Sequence, residues 1–184
     1  MSSERASGVV ETISALVAPA DLEALVSLLT ECVDGGASMG FLAPLAAPEA
    51  AAFWEETVGD VRDGHRILFV AREPAGGGIV GSAQLSLKTR PNGRHRAEVQ
   101  KVMVRPSQRR RGLATRLMAH VEAAARERGV RLLVLDTSEG PGGARALYET
   151  LGYVYAGGIP DWALDPDGTP AQNAIFYKKL SPEP

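Results

Sequence analysis

Apolar residues recur along this chain in blocks, some at helical spacing and some at strand spacing. Val9 to Leu16 alternates loosely and predicts a first strand. Pro19 and Asp21 then open a helix whose apolar positions are Leu22, Leu25, Val26 and Leu29, and Gly35-Gly36 ends it. Ser38 to Ala47 is apolar but aperiodic, with Gly40 and Pro44 inside it, and reads as a loop. A second helix starts at Pro48-Glu49, with Trp54, Val58 and Val61 as its inner stripe.

A β region follows. Ile67 to Ala71 is a short apolar run fit for a buried strand, and Glu73 to Gly78 is a turn. Ile79 to Leu87 alternates, with Val80, Ser82, Gln84 and Ser86 set against Ile79, Gly81, Ala83, Leu85 and Leu87. The tight turn Arg90-Pro-Asn-Gly93 joins it to Ala97–Val104, which predicts an antiparallel pair with positive φ at the turn. Leu113, Leu117, Met118, Val121, Ala124 and Ala125 then trace a helix that stops at Gly129. Leu132 to Leu135 is a continuous apolar run, the pattern of a strand buried on both faces and parallel to the strand before the helix. Asp136 to Gly143 reads as a loop, and Ala144 to Leu151 as a short helix stopped at Gly152. Tyr153 to Gly158 and Asn173 to Leu180 predict a final antiparallel pair, with the turn region Asp165-Pro-Asp-Gly168 between them. The expected fold is α/β (α+β): a mixed, mostly antiparallel sheet of about seven strands with helices on both faces. One domain spans residues 1–184, with 1–7 and 181–184 loose.

Composition narrows the function. The chain has 184 residues, a formal net charge of -2 and 45% hydrophobic residues. That suits one globular domain and argues against a nucleic-acid binder, which would be basic overall. No run is long and apolar enough to span a membrane, and Met1 to Arg5 lacks a signal-peptide core. The single cysteine, Cys32, cannot form an internal disulfide, and its apolar helical setting marks it as a small buried residue. A soluble, cytoplasmic location is expected. His65, His95 and His120 do not fall in metal-ligand spacing, and His120 lies on the exposed side of its helix.

Between Val104 and Leu113 lies a short basic loop with Arg109, Arg110 and Arg111 before Gly112. A helix N-terminus carries unpaired backbone N–H groups and a partial positive charge, so it attracts anions. Gly112 has no Cβ to keep a ligand away, and Ala114 leaves the approach open one step further on. The loop reads as a diphosphate cradle; the alternative is a solvated basic cap on a surface helix.

At these residues the chain resembles the GNAT family of N-acetyltransferases. That family's pyrophosphate motif is Gln/Arg-x-x-Gly-x-Gly/Ala, and Arg109-Arg-Arg-Gly112-Leu-Ala114 matches it. The predicted order of elements agrees with the family, and Ala144-x-x-Leu147-Tyr148-x-x-x-Gly152-Tyr153 resembles its later motif. Closer likeness, in Ala83 to Leu87, Arg96 to Val104, Leu135 to Thr137, Asp165 to Gly168 and Ala174 to Phe176, is to the family's tabtoxin-resistance branch. The resemblance implies acetyl-coenzyme A as cosubstrate. Its diphosphate would rest on the segment Arg109, Arg110, Arg111, Gly112, Leu113, Ala114 and Thr115, and its pantetheine arm along Val102, Met103 and Val104. The acceptor implied is an amine on a small molecule, a toxin or antibiotic. Monomer and homodimer both stay open. Many members carry an asparagine where this chain has Pro141, which leaves Gly140, Gly142 and Gly143 to approach the pantetheine arm.

Acetyl transfer to an amine needs a base, because an ammonium with a pKa of about 10 must first lose a proton. It also needs a donor to the developing oxyanion and an acid for the leaving thiolate. Tyr148 is the candidate acid; the other reading of it is aromatic packing between helix and sheet. Glu98 and Asp136 are the candidate bases, acting directly or through water, and the resemblance implies carboxylates at both. As alternatives, Glu98 pairs with Lys101, Arg96 or another charge, and Asp136 caps a loop or helix. Backbone N–H groups near Val102 or Met103 would hold the oxygen. His95, Asp161 and Trp162 are candidates to reach the acceptor, and Phe41 to Ala47 lines either a pocket or an interface. Two further functions fit less of the chain: a non-catalytic acyl-CoA sensor, and a protein or peptide N-acetyltransferase.

Overall fold

The computed structural model describes residues 9–13, 18–74, 77–138 and 144–180. The expectations for residues 1–7, 14–16, 140–143 and 181–184 therefore lie outside the described residues. In chain order the elements are β1 (Val9–Ile13), α1 (Pro19–Asp34), α2 (Ala47–Arg62), β2 (Arg66–Arg72), β3 (Ile79–Leu87) and β4 (Arg96–Val104). They continue with α3 (Leu113–Glu127), β5 (Leu132–Ser138), α4 (Ala144–Thr150), β6 (Val154–Gly157), β7 (Ala163–Leu164), β8 (Pro170–Ala171) and β9 (Asn173–Lys179). Seven strands form one sheet in the order β1-β2-β3-β4-β5-β9-β6. Every pairing in it is antiparallel except β4 with β5. β7 and β8 make a separate small ribbon.

The sheet has a helical layer on each face. Leu68, Val70, Ile79 and Met103 meet Leu25, Leu28 and Leu29 of α1 and Trp54 of α2. Phe69, Val80, Leu85 and Val99 meet Leu117, Met118 and Val121 of α3. Consecutive residues of β2 go to opposite cores, as the two-residue strand period requires. The α3 face is the one its apolar spacing predicts.

Several expectations need correction. α2 buries Ala50, Trp54 and Thr57, and Val58 is only half-buried, because the helix is turned slightly from its apolar stripe. β3 is buried on both sides from Ile79 to Leu85, including Ser82 and Gln84, because helices cover both faces there. The Arg90–Gly93 turn is a 3-10 turn, and neither Asn92 nor Gly93 takes positive φ. Gly93 is instead buried, where a Cβ would press on Lys88 at 3.3 Å. β5 is not buried throughout: Leu133 and Leu135 are, but Leu132 and Val134 are only half-buried. The α1–α2 core reaches β2, β3 and β4 but not β5, so one face of β5 stays open. That open face becomes the site.

Candidate active site

β4 and β5 run side by side only over Arg96–Glu98 and Leu132–Val134. Beyond that the strands part. β5 continues to Ser138 paired only with β9, while β4 breaks its ladder with β3. Gln84 faces Gln100 and Ser82 faces Met103, so Lys101 and Val102 together stand opposite Ala83. This is a β-bulge, with Lys101 at φ +49. A bulge takes local backbone groups out of pairing, here beside the gap between the two strands.

Two cavities open on this gap. The larger, about 970 Å³, runs past Val102, Met103, Val104, Arg109 and Ala114 to the α1–α2 loop. The smaller, about 410 Å³, is lined by Arg66, Glu98, Lys101, Asp136 and Trp162. Ser38, Met39, Val102, Thr137, Ser138 and Tyr148 wall both. The α1–α2 loop is pinned across the site, with the Ala43 N–H donating to Pro166 O at 2.8 Å. The Leu45 N–H donates to Asp34 Oδ1 at 2.9 Å. Phe41 packs edge-on against Phe53 at 5.6 Å, while Ala43 and Pro44 line the larger cavity.

At one end of the larger cavity α3 begins on Gly112, in the left-handed region at φ +76. No side chain caps the helix, so its first N–H groups are left for another acceptor. A Cβ built on Gly112 would meet nothing within 4 Å. The segment therefore leaves room and donors for a diphosphate, and the residues fit the group. Arg109, Arg110, Arg111 and Thr115 are exposed around it. Arg109 Nε also donates to Val104 O at 3.2 Å, which ties the loop to the end of β4. Leu113 turns its side chain into the core, so only its backbone faces outward.

Tyr148, on α4, is almost fully buried and packs edge-on against Tyr153 at 5.8 Å. Burial first, and then the charge of Asp136, pushes its hydroxyl up to about 12. Packing and a place on the cavity wall thus coincide in one side chain. Asp136 is exposed where β5 leaves the apolar core, and its carboxylate has no hydrogen bond among the described residues. Glu98 is half-buried and engaged at both oxygens, by Lys88 Nζ at 2.9 Å and Gln100 Nε2 at 2.8 Å. Burial alone would raise its carboxyl, but these two contacts, with the charges of Lys88 and Arg66, outweigh it and hold it below the usual carboxylate range. Its partner is Lys88, not Lys101 or Arg96.

The other candidates divide. Trp162 lines the smaller cavity and Asp161 does not. His95 is exposed and lines neither cavity, and His120 is exposed as its helical position predicts. Cys32 is fully buried, 3.6 Å from Val104 O, and burial raises its thiol. No group of three metal-ligating side chains occurs among the described residues. None of their helices is long and apolar enough to cross a membrane. Lys101 is a pocket residue that the sequence does not announce, since alternation along β4 gives no warning of a bulge, and Arg66 reaches the same pocket from the start of β2.

A sheet parted between its two parallel strands, with an uncapped helix N-terminus at the mouth, makes a cleft with room and donors for a ligand that carries a diphosphate. The acetyltransferase (GNAT) family model matches residues 28–153. An N-acetyltransferase from the hisH-hisA intergenic region of Azospirillum brasilense is 38% identical over 121 residues, 65% of this chain and 69% of the relative. The chain belongs to the GNAT acetyltransferase family. Solved structures agree in fold. A phosphinothricin acetyltransferase from Sinorhizobium meliloti, in complex with acetyl-CoA, superposes with a TM-score of 0.76 at 20% identity, covering 95% of this chain and 89% of that one. The acetyltransferase yncA of Salmonella typhimurium, solved with its cofactor acetyl-CoA, gives 0.75 at 17%, covering 97% of each chain.

Proposed function

We propose that this chain, as one N-acetyltransferase domain, acetylates an amine on a small molecule that enters the smaller cavity. The thioester would lie in the larger one. The observation that carries the reading is the shared wall, which sets Tyr148 beside both cavities. Acetyl-coenzyme A supplies the activated acetyl group when bound. Arg109, Arg110, Arg111 and the backbone from Gly112 through Leu113, Ala114 and Thr115 would hold its diphosphate. Val102, Met103 and Val104 would line its pantetheine arm, and N–H groups at the β4 bulge would face the carbonyl oxygen.

Asp136 is the base we favour, taking the proton from the acceptor ammonium directly or through water. It is exposed and unengaged, while both oxygens of Glu98 are occupied. Glu98 would then act as a fixed negative charge that favours the ammonium in the cavity, or as a base through water. Tyr148, its proton held firmly, would donate to the leaving thiolate. The likeness of Arg96–Val104, Asp165–Gly168 and Ala174–Phe176 to the tabtoxin-resistance branch supports a toxin or antibiotic as the acceptor. Thiol release from acetyl-coenzyme A across small amines, amino-acid analogues, aminoglycosides and peptides tests this. Turnover on a small amine is expected; turnover on peptides alone, or binding without thiol release, contradicts it.

A further inference from the structure

The charges lining the smaller cavity are unequally provided for. Arg66 donates to Asp60 Oδ2 at 2.8 Å and to Gln100 Oε1 at 3.0 Å, and also to Gln84 Oε1. Glu98 is held by Lys88 and Gln100. Asp136 and Lys101 are left with no ion pair among the described residues. Lys101 is half-buried at the β4 bulge, its Nζ 5.7 Å from the Phe41 ring centre and 5.4 Å from that of Phe53. One of its three ammonium hydrogens goes to Met39 O at 2.6 Å. Two aromatic faces and a carbonyl hold the ammonium but bring no opposite charge. Burial first, then the nearby Arg66, makes its charged form harder to keep, and only Asp136 opposes them. A half-buried cation in this state is relieved by an anion that enters the cavity with donor geometry already set.

We propose that Lys101 is a specificity-determining residue that holds an anionic group, a carboxylate, on the acceptor while the acceptor's amine lies toward Asp136. The inference rests on the small-amine reading above and adds the second functional group of the substrate. An acceptor bearing both charges answers both unpaired residues at once, and a plain amine answers only one. The bulge explains the placement. At φ +49 Lys101 leaves the strand alternation and sends its side chain toward Phe41 and Phe53 beside the cavity.

The test uses amino acids of increasing amine-to-carboxylate distance (glycine, β-alanine, 4-aminobutyrate and L-lysine), each against its carboxamide. In the unaltered enzyme at least one acid should exceed its amide in kcat/KM by about tenfold or more, the worth of a charge-assisted hydrogen bond. In Lys101→Met that ratio should fall toward one, with acetyl-coenzyme A affinity reporting an intact fold. A ratio near one in the unaltered enzyme, or one that survives in Lys101→Met, overturns the proposal. A second measurement does not depend on turnover. The 13Cε resonance of Lys101, assigned by its loss in Lys101→Met, should titrate at higher pH when an acid is added and be unmoved by the amide. If no acid is acetylated yet the resonance shifts, Lys101 keeps its role and the acetylation of small amines is what fails. If no acid shifts it, the assignment of Lys101 is wrong whatever the turnover.

Discussion

At the scale of single residues the site depends on how protons are held. Tyr148 keeps its proton to about pH 12 because its hydroxyl is desolvated and faces the Asp136 charge. A raised pKa means the acid form persists through and beyond the range in which an amine acceptor loses its own proton. Turnover should therefore rise with pH toward the acceptor's pKa and show no loss from tyrosine ionisation below pH of about 10. In Tyr148→Phe, kcat should fall by a factor on the order of 10² to 10⁴ while acetyl-coenzyme A affinity stays close to that of the unaltered enzyme. A Tyr148→Phe enzyme with undiminished kcat removes the hydroxyl from the reaction and leaves the ring as packing against Tyr153.

At the scale of elements, α3 does two jobs with opposite ends of its sequence pattern. Its N-terminal turn carries no side-chain cap, and its apolar stripe fixes that turn against the sheet through Leu117, Met118 and Val121. Leu117 is fully buried there. Leu117→Ala should cost about 2–5 kcal/mol of stability, read as a lowered midpoint of urea unfolding. A loss within about 0.5 kcal/mol would mean that the stripe does not anchor the helix. This element is legible in the sequence because its signals are local: the arginines, Gly112 and the 3.6-residue stripe all lie within one strand-to-helix turn. The open face of β5 is not legible there. Leu132 and Val134 look the same in sequence whether or not a helix covers them, and coverage depends on how far α1 and α2 reach across the sheet. Ser82 and Gln84 mislead in the opposite sense, since polar residues at alternating positions read as a solvent face. The bulge at Lys101 is a third case. Its signature is a register shift, which is set by the pairing of β4 with β3 and leaves no mark on composition.

At the scale of the whole molecule, the side chains proposed for the site come from parts of the chain far apart in sequence. Glu98 lies on β4, Asp136 on β5, Tyr148 on α4 and Trp162 before β7, and the α1–α2 loop closes over them through the Ala43–Pro166 contact. What assembles them is one topological fact: β4 and β5 pair for three residues and then part. The mostly antiparallel seven-stranded arrangement is readable from the order of elements. The division into two cavities is not, because it arises where β4, β5 and two loops converge. On the proposed function, the cleft between these strands takes acetyl-coenzyme A with its diphosphate at Gly112. Aspartate tolerates the left-handed backbone better than most residues, so Gly112→Asp should fold while placing a negative side chain in the cradle. Calorimetric titration with acetyl-coenzyme A measures this directly. Saturable binding at one site per chain is expected for the unaltered protein, with binding lost or weakened by about 100-fold or more in Gly112→Asp, since like charge meets like at short range. No binding by the unaltered protein, or equal affinity in the variant, would contradict it.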